Sequence, residues 1–408
     1  MSGLRLYWQQ IQRFSPEVRL YLLVSTLQGI GGGIFQLFFN FYILSLGYRE
    51  DFLGILISLP ALIALALGFL AGYVSDVIGR KRTFLIGGGV SILSQVLMLV
   101  WPTYGMLLFS RVLAGIGNSL FSVASAPFLM EHSTEEQRVH LFSFNSGLST
   151  VASFAGTTFG GALPTFFALR LGVAPTSSTA YALAMGTTTV LMFIALWPLA
   201  CLPMERRLQV QRPQELLGAF ARQKRVMTRL FLPPLLISIG AGLLIPFMNI
   251  FFRHEYGLSD AQIGALMGTG ALGMGMAFLF APLLSDRWGK ARSVVITQGL
   301  SIPFLFLLGY GHHLELAILA YFVRMALMNL STPIYQIIVM EEVDEKTRGM
   351  AASLYNMVWS FGRAISPAFS GPIQRYWGFD PLFALTIFFY AVSVVMVQVW
   401  FVPRRRRA

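Results

Sequence analysis

Apolar residues in this chain form twelve long runs that are separated by short polar breaks. The runs cover approximately residues 18–46, 52–75, 83–101, 105–130, 139–167, 179–203, 229–253, 261–284, 293–311, 314–340, 348–374 and 379–402. A helix of about 20 residues crosses the apolar core of a bilayer. The pattern therefore predicts an all-α membrane protein with twelve transmembrane helices, here called spans 1 to 12.

The longest polar interruption follows span 6 and divides the chain into two halves of six spans. Before span 1, apolar residues at helical spacing predict a short helix on the membrane surface. Residues 15–17 (Ser-Pro-Glu) are a typical helix start. The predicted organisation is an interfacial helix at 1–17, a six-helix bundle at 18–203, a cytoplasmic linker at 204–228, a second six-helix bundle at 229–403 and a basic tail at 404–408.

Composition excludes several classes of protein. Of the 408 residues, 55% are apolar and 12% are charged, whereas a soluble domain carries about 25% charge and a disordered chain has the opposite bias. The single cysteine permits no internal disulfide, and the five histidines show no metal-site spacing. We therefore expect no metal and no cofactor, and no nucleophile–base pair indicates an enzyme.

The basic residues predict the orientation in the membrane. With both termini in the cytoplasm, most of the 30 Lys and Arg residues fall in cytoplasmic segments, as the positive-inside rule requires. Only Arg49, Arg170, Arg253 and Arg375 fall in outer segments. The net charge of +12 thus reflects orientation and attraction to anionic lipid, and it does not indicate nucleic-acid binding.

A shift of 210 residues lays one half of the sequence on the other. Residues 75–82 (SDVIGRKR) then meet residues 285–292 (SDRWGKAR), and residues 130–131 (Met-Glu) meet residues 340–341 (Met-Glu). Parallel six-helix repeats joined by a long intracellular connection are typical of one class of secondary transporter, whose site lies near the membrane midplane.

Three motifs resemble those of the major facilitator superfamily. Residues 72–82 (GYVSDVIGRKR) resemble its signature G-x-x-x-D-x-x-G-R-[RK], and residues 286–290 resemble a weaker second copy. Residues 111–117 (RVLAGIG) are similar to the fourth-helix pattern R-x-x-x-G-x-G. Residues 156–161 (GTTFGG) resemble the fifth-helix antiporter pattern G-P-x-x-G-G, with threonine in place of proline. The resemblance implies two pseudo-symmetric six-helix bundles and transport by alternating access, as in twelve-helix bacterial members.

The resemblance also implies gating residues on the cytoplasmic side. Asp76 would pair with Arg80 and cap the start of the eleventh helix near Arg348, which holds the outward-open form. The alternative is that Asp76 and Arg80 are only charges that set the topology. The gating candidates are Gly72, Asp76, Gly79, Arg80, Asp286, Gly289, Lys290 and Arg348.

Polar residues inside the apolar spans are the candidates for solute binding. Arg111, Arg324 and Arg363 lie in spans 4, 10 and 11, where a charge is costly unless it faces water or a partner. Arg363 is the preferred candidate for substrate contact. The other candidates are amide and aromatic residues, namely Gln28, Gln36, Asn40, Asn249, Asn329, Tyr335, Gln336, Asn356 and Trp359. For these, hydrogen bonding between helices explains a polar residue equally well.

The acidic residues lie near span ends or in loops. A proton-driven transporter usually carries a titratable carboxylate inside its bundle. Glu131 and Glu341, at the inner ends of spans 4 and 10, are the best candidates for coupling. The alternative is that they are helix-end charges beside Arg138 and Arg348.

Together these features indicate a secondary transporter of a small organic solute. Export of amphipathic, drug-like compounds is favoured by the partial fifth-helix pattern and by the aromatic and methionine-rich spans. The alternative is uptake or exchange of an organic anion bound by the intramembrane arginines. We expect a monomer in the inner membrane of a bacterium or archaeon, with the substrate, a coupling ion (H⁺ or Na⁺) and membrane lipid as partners.

Overall fold

The structure is a computed structural model that describes residues 14–202, 224–343 and 348–402. Within these ranges the chain is all-α and contains no strand. The helices are α1 (Pro16–Ser45), α2 (Glu50–Ile78), α3 (Arg80–Val100), α4 (Tyr104–Glu131), α5 (Glu135–Gly160), α6 (Leu163–Leu171), α7 (Ser178–Ala200), α8 (Lys224–Leu244), α9 (Met248–Tyr256), α10 (Asp260–Trp288), α11 (Lys290–Tyr310), α12 (Leu314–Glu341), α13 (Arg348–Trp377) and α14 (Asp380–Phe401).

Each of the twelve predicted spans corresponds to a helix, but two spans are interrupted. Span 5 divides into α5 and α6, with Pro164 in the first turn of α6. Span 7 divides into α8 and α9 at a 3-10 turn, Ile245–Phe247, that contains Pro246. Proline donates no backbone hydrogen bond and therefore favours helix starts and breaks. By length and composition alone, nine helices in the described residues are able to cross a membrane.

Polar side chains cap the N-termini of helices where a polar segment is followed by an apolar one. Ser15 Oγ accepts a hydrogen bond of 3.3 Å from the backbone N–H of Val18 at the start of α1. Before α10, the Ser259 N–H donates to Gln262 Oε1 at 2.9 Å and the Gln262 N–H donates to Ser259 Oγ at 3.4 Å. These reciprocal bonds satisfy two backbone donors that a helix start leaves unpaired.

Three predicted segments lie largely outside the described residues. They are the interfacial helix at 1–17, the linker at 204–228 and the basic tail at 404–408. These segments remain predictions.

The helices form two compact units, each with its own core. Of the described residues, the first unit comprises 14–48, 62–202 and 259–269, and the second comprises 49–61, 224–258, 270–343 and 348–402. The first turns of α2 thus belong to the second unit, and the first turns of α10 belong to the first. In the first core the rings of Tyr21, Phe84 and Phe128 pack with centroids 5.3 to 5.7 Å apart. In the second core Tyr335 and Tyr355 stack at 6.2 Å.

The predicted repeat appears in the helix bounds. Adding 210 to the bounds of α2, α3 and α4 gives those of α10, α11 and α12. Gly79 and Gly289, which separate the first two helices of each triplet, have φ of 89° and 78°. Only glycine adopts such a conformation without strain, so the same tight turn is built twice.

Candidate functional site

A cavity of about 460 Å³ lies inside the first unit, between α1, α3, α4 and α7. This volume is within the range of about 300–1,000 Å³ that is usual for small-molecule sites. Its lining residues are Gln28, Gly31, Gly32, Phe35, Gly88, Ser91, Ser94, Gln95, Met98, Arg111, Ala114, Asn118, Phe121, Ser122, Thr188 and Met192. The lining combines aromatic and methionine side chains with amides, hydroxyls and one guanidinium. We call it the Arg111 cavity.

Arg111 is held against two aromatic rings of α1. Phe35 and Phe39 stack with centroids 5.1 Å apart and an angle of 20° between their planes. The Arg111 Cζ lies 5.5 Å from the Phe35 centroid and 4.5 Å from the Phe39 centroid. Such cation–π contacts stabilise a desolvated cation. The two rings therefore hold the Arg111 guanidinium at the cavity wall.

Amide and hydroxyl groups bridge α3 and α7 at another part of the cavity lining. Gln95 Nε2 donates to Thr188 Oγ1 at 3.0 Å, and Thr189 Oγ1 donates to Gln95 Oε1 at 3.1 Å. These bonds fix the orientation of the Gln95 amide. The wall thus presents a neutral polar surface.

The glycine of the fourth-helix motif sets the spacing of α3 and α4. A Cβ added at Gly117 would lie 2.2 Å from Ser91 Oγ and 2.8 Å from the backbone oxygen of Gly87. Glycine alone permits this approach of two backbones. The motif therefore contains both Arg111, which lines the cavity, and Gly117, which sets the close contact of α3 and α4 beside it.

Three predicted solute-binding residues line a cavity of only about 30 Å³ in the second unit, namely Asn329, Tyr335 and Trp359. This volume holds a water molecule but no organic solute. Tyr335 Oη donates to the backbone oxygen of Leu230 at 2.9 Å. Asn329 Nδ2 donates to the backbone oxygen of Met325 at 2.8 Å. Both residues thus make hydrogen bonds inside the unit.

A more open cavity of about 680 Å³ lies beside α12 and α13 in the second unit. Its lining includes Gln336, Asn356 and the coupling candidate Glu341. Gln336 and Asn356 are exposed to it. These residues form a polar wall at the predicted cytoplasmic end of α12.

The other two intramembrane arginines differ from Arg111. Arg324 is buried, and its Nη2 donates to Tyr390 Oη at 2.8 Å, with Cζ 5.7 Å from the same ring. Arg363 is exposed on α13. Neither residue lines any of the three cavities.

Among the polar residues of α1, Gln28 lines the Arg111 cavity, whereas Gln36 is exposed and Asn40 is buried outside it. Asn249, which meets Asn40 when the 210-residue shift is shortened by one residue, is also buried, and its Oδ1 accepts from the Ile250 N–H at 2.9 Å.

The sequence analysis missed several polar lining residues, including Gln95, Asn118 and Thr188. A signal for two of them was present. Gln95 is the only amide of span 3, and Asn118 is the only amide of span 4. Asn118 follows Arg111 by seven residues, which places both on one face of a helix.

An ion-pair cluster around the buried Arg80 joins α2 and α3 to α4 at the predicted cytoplasmic end. Arg80 Nη1 donates to Asp76 Oδ1 at 2.7 Å and to Ser75 Oγ at 2.8 Å, and Arg80 Nε donates to Glu131 Oε1 at 3.3 Å. The Arg80 side chain is 9% exposed. Several charge-assisted bonds compensate its desolvation.

The second half carries the equivalent pair, Lys290 with Glu341, at positions 210 residues later. These side chains are 39% and 55% exposed. Asp286, the counterpart of Asp76, is exposed. No close neighbour meets a Cβ added at Gly72. The side chain of Arg348, the predicted acceptor of Asp76, lies outside the described part of the chain.

At the predicted outer end, the first turns of α2 pack on α13 within the second unit. Arg375 Nη1 donates to Asp51 Oδ2. A Cβ added at Gly54 would lie 2.2 Å from the backbone oxygen of Pro367. The two helices are therefore in backbone contact beside an ion pair.

The glycines of the fifth-helix pattern serve close packing within the first unit. A Cβ added at Gly156 would lie 2.1 Å from the backbone oxygen of Ile30 in α1. On the first turns of α10, a Cβ at Gly264 would lie 2.6 Å from the backbone oxygen of Thr157. The pattern thus places α5 against two other helices.

Comparison with known proteins identifies the family. The model described as Major Facilitator Superfamily matches residues 21–241 and again 230–408. Multidrug resistance protein 1 of Bacillus subtilis is 22% identical over 375 residues, covering 87% of this chain and 88% of that protein. Two solved structures share the fold. The nucleoside transporter NupG matches with a TM-score of 0.73 and 16% identity, covering 94% of this chain and 98% of that chain. A D-xylose-proton symporter matches with a TM-score of 0.71 and 18% identity, covering 95% of this chain and 98% of that chain.

The matched family model covers both halves of the chain, and the structural matches cover nearly all of it. The apolar helices make it an integral protein of the cell membrane, and its family binds small-molecule substrates. The chain belongs to the major facilitator superfamily and is a transporter, not an enzyme.

Proposed function

We propose that the chain exports small amphipathic organic solutes and that the Arg111 cavity is its solute site. The observation that carries this proposal is the composition of the cavity wall. Phe35, Phe121, Met98 and Met192 offer an apolar surface that adapts to varied ligands. Amides and Arg111 supply the few polar groups that orient a bound molecule. The similarity to a multidrug resistance protein supports export.

Alternating access requires contacts that form in one state and break in another. We propose that the packing of α2 on α13, with Asp51–Arg375 and Gly54 at its centre, closes the route on the predicted outer side. Backbone packing supports a discrete closed state because a tightly packed contact does not deform gradually. Release of this contact then opens the solute route outward.

At the predicted cytoplasmic end, we propose that the clusters around Arg80 and Lys290 support gating and coupling. Glu131 accepts a hydrogen bond from Arg80, and Glu341 pairs with Lys290. Protonation of either carboxylate removes its negative charge and weakens the pair. A proton arriving at Glu131 or Glu341 therefore loosens the end of α4 or α12.

Uptake or exchange of an organic anion is the second candidate. The positive charge in the Arg111 cavity favours it. It differs from export in the direction of transport and in the class of solute.

Everted membrane vesicles from cells that express the full chain test the proposal. Accumulation of ethidium, a lipophilic cation, or of 2-naphthoate, an aromatic anion, is followed after a proton gradient is imposed. Export predicts accumulation of at least one probe above the level of vesicles from cells without the chain. Accumulation only in right-side-out vesicles would establish uptake and contradict export.

A further inference from the structure

The side-chain amide of Gln95 is held in one orientation at the lining of the Arg111 cavity. The Thr188 hydroxyl has one hydrogen, which it donates to the backbone oxygen of Met185 at 2.7 Å. Its oxygen therefore accepts from Gln95 Nε2 at 3.0 Å, and Thr189 Oγ1 donates to Gln95 Oε1 at 3.1 Å. A reversed amide would bring the Gln95 oxygen against the lone pairs of Thr188, so these contacts determine which end of the amide is the nitrogen.

One hydrogen of this amide is left over. A glutamine amide has two donor hydrogens on its nitrogen and one acceptor oxygen. Thr189 engages the oxygen and Thr188 accepts one hydrogen. No described residue accepts the other hydrogen. Because Gln95 lines the Arg111 cavity, this second N–H is a donor beside the space in which we propose that solute binds.

The counterpart of Gln95 shows that the scaffold does not need an amide at this position. The bounds of α3 and α11 differ by 210 residues, so Gln95 corresponds to Leu305, which is 0% exposed. The second half thus packs the same position with an apolar side chain. An amide that lacks a full set of partners is costly inside a membrane protein. A solute that accepts the remaining hydrogen gives Gln95 a role that helix packing alone does not.

Resting on the proposed function, we propose that Gln95 determines specificity for solutes that carry a carbonyl oxygen, as in a ketone or an amide, beside an apolar body. The second N–H of Gln95 donates to that oxygen, while Phe35, Phe121 and Met98 contact the apolar body. Thr189 is a positioning residue, because its hydroxyl engages the amide oxygen and leaves the nitrogen to donate. A solute without an acceptor leaves this donor unpaired and binds more weakly.

Equilibrium dialysis of the full-length protein in lipid nanodiscs tests the proposal. The probes are 2-acetylnaphthalene, a ketone, and 2-isopropenylnaphthalene, an alkene of the same shape with CH₂ in place of the oxygen. Empty nanodiscs correct for partition into lipid. Gln95→Met removes the amide and keeps a side chain of similar length. We expect it to weaken ketone binding about fivefold, the effect of one hydrogen bond, and to change alkene binding less than about twofold.

Gln298→Met is the matched control. Gln298 is an amide of the counterpart helix α11 that donates to a hydroxyl, Ser331 Oγ, at 2.9 Å, but it lines the cavity of about 30 Å³ and not the Arg111 cavity. This control should bind the ketone as the unaltered protein does. Undetectable ketone binding to the unaltered protein, or equal changes for ketone and alkene in Gln95→Met, would overturn the proposal.

Thr189→Val tests the orientation of the amide without altering a lining residue. We expect ketone binding to weaken about threefold and alkene binding to stay constant, because the amide is then free to turn its oxygen toward the solute. A general loss of packing would weaken both probes together. This variant also decides the proposal if Gln95→Met fails to fold, since an unchanged ratio of ketone to alkene affinity in Thr189→Val would overturn it.

Flux in the vesicle assay separates this inference from the proposed function. Outward transport of ethidium or 2-naphthoate, combined with no Gln95-dependent preference for the ketone, would refute the role of Gln95 and leave export intact. A Gln95-dependent preference combined with inward flux alone would refute export and leave the role of Gln95 intact.

Discussion

The same position in the two halves of the molecule holds a large cavity in one and a small void in the other. Gly88, Asn118, Phe121 and Ser122 line the Arg111 cavity of about 460 Å³. A shift of 210 residues gives Gln298, Met328, Ser331 and Thr332, which line the cavity of about 30 Å³. The two spaces are thus counterparts in a duplicated scaffold, and their volumes differ about fifteenfold.

The side chains explain the difference. Where the first half has Gly88, the second has Gln298, whose Nε2 donates to Ser331 Oγ at 2.9 Å. Where the first half has Arg111, the second has Tyr321, which is buried and packs on Phe252 with centroids 5.5 Å apart. The comparison teaches that side-chain size alone decides whether this position of the repeat holds a cavity large enough for an organic molecule.

Filling the first cavity should have the largest effect. A Cβ added at Gly32 meets nothing within 4 Å, so Gly32→Leu places its side chain in the cavity without displacing backbone. We expect solute flux in vesicles to fall by about 100-fold with the protein still folded, since a blocked site loses most of its binding free energy. Gly89→Leu is the matched control, because Gly89 is equally open but lies outside the lining. Unchanged solute flux in Gly32→Leu would show that the cavity does not lie on the transport route.

Exchanging counterpart residues should have a smaller effect. Asn118→Met replaces a polar lining group with the side chain found at position 328, so flux should fall by about tenfold through one lost hydrogen bond and lost volume. Met328→Asn should leave the solute KM unchanged, because the space around it is too small for solute. A larger KM change in Met328→Asn than in Asn118→Met would contradict the assignment of the solute site to the first half.

Removing the paired carboxylates should have the smallest effect, on stability. Arg80 and Glu131 are 9% and 26% exposed, whereas Lys290 and Glu341 are 39% and 55% exposed. Glu131→Gln should lower the free energy of unfolding by about 1–2 kcal/mol, because it weakens a largely buried cluster. Glu341→Gln should cost about 0–1 kcal/mol, as exposed pairs do. Thermal melting of the detergent-purified variants compares their stabilities. Equal losses of stability would contradict the expectation that the more buried pair contributes more.

The fold was predictable because hydrophobic runs and the 210-residue register encode it directly. The breaks at α5–α6 and α8–α9 were missed because Pro164 and Pro246 lie inside continuous apolar runs, which hide a local change of backbone. Prediction of the twelve helices required no knowledge of tertiary contacts.

The candidate site was only partly predictable. Arg111 and Gln28 stood out as polar residues in apolar spans, and both line the cavity. Arg324 showed the same signal but contacts Tyr390, 66 residues away in sequence. A pattern along one helix does not specify which side chain of another helix faces it, so it does not separate a solute ligand from an internal partner.

Cysteine labelling tests the central claim, that solute binds in the first-half cavity and not in its counterpart. In a Cys201→Ser background, which removes the only cysteine, Asn118→Cys and Met328→Cys each carry one thiol at equivalent positions of the repeat. We expect a solute that the vesicle assay shows to be transported to slow maleimide labelling of Asn118→Cys at least fivefold and to leave Met328→Cys unchanged. Protection of Met328→Cys alone would contradict the account.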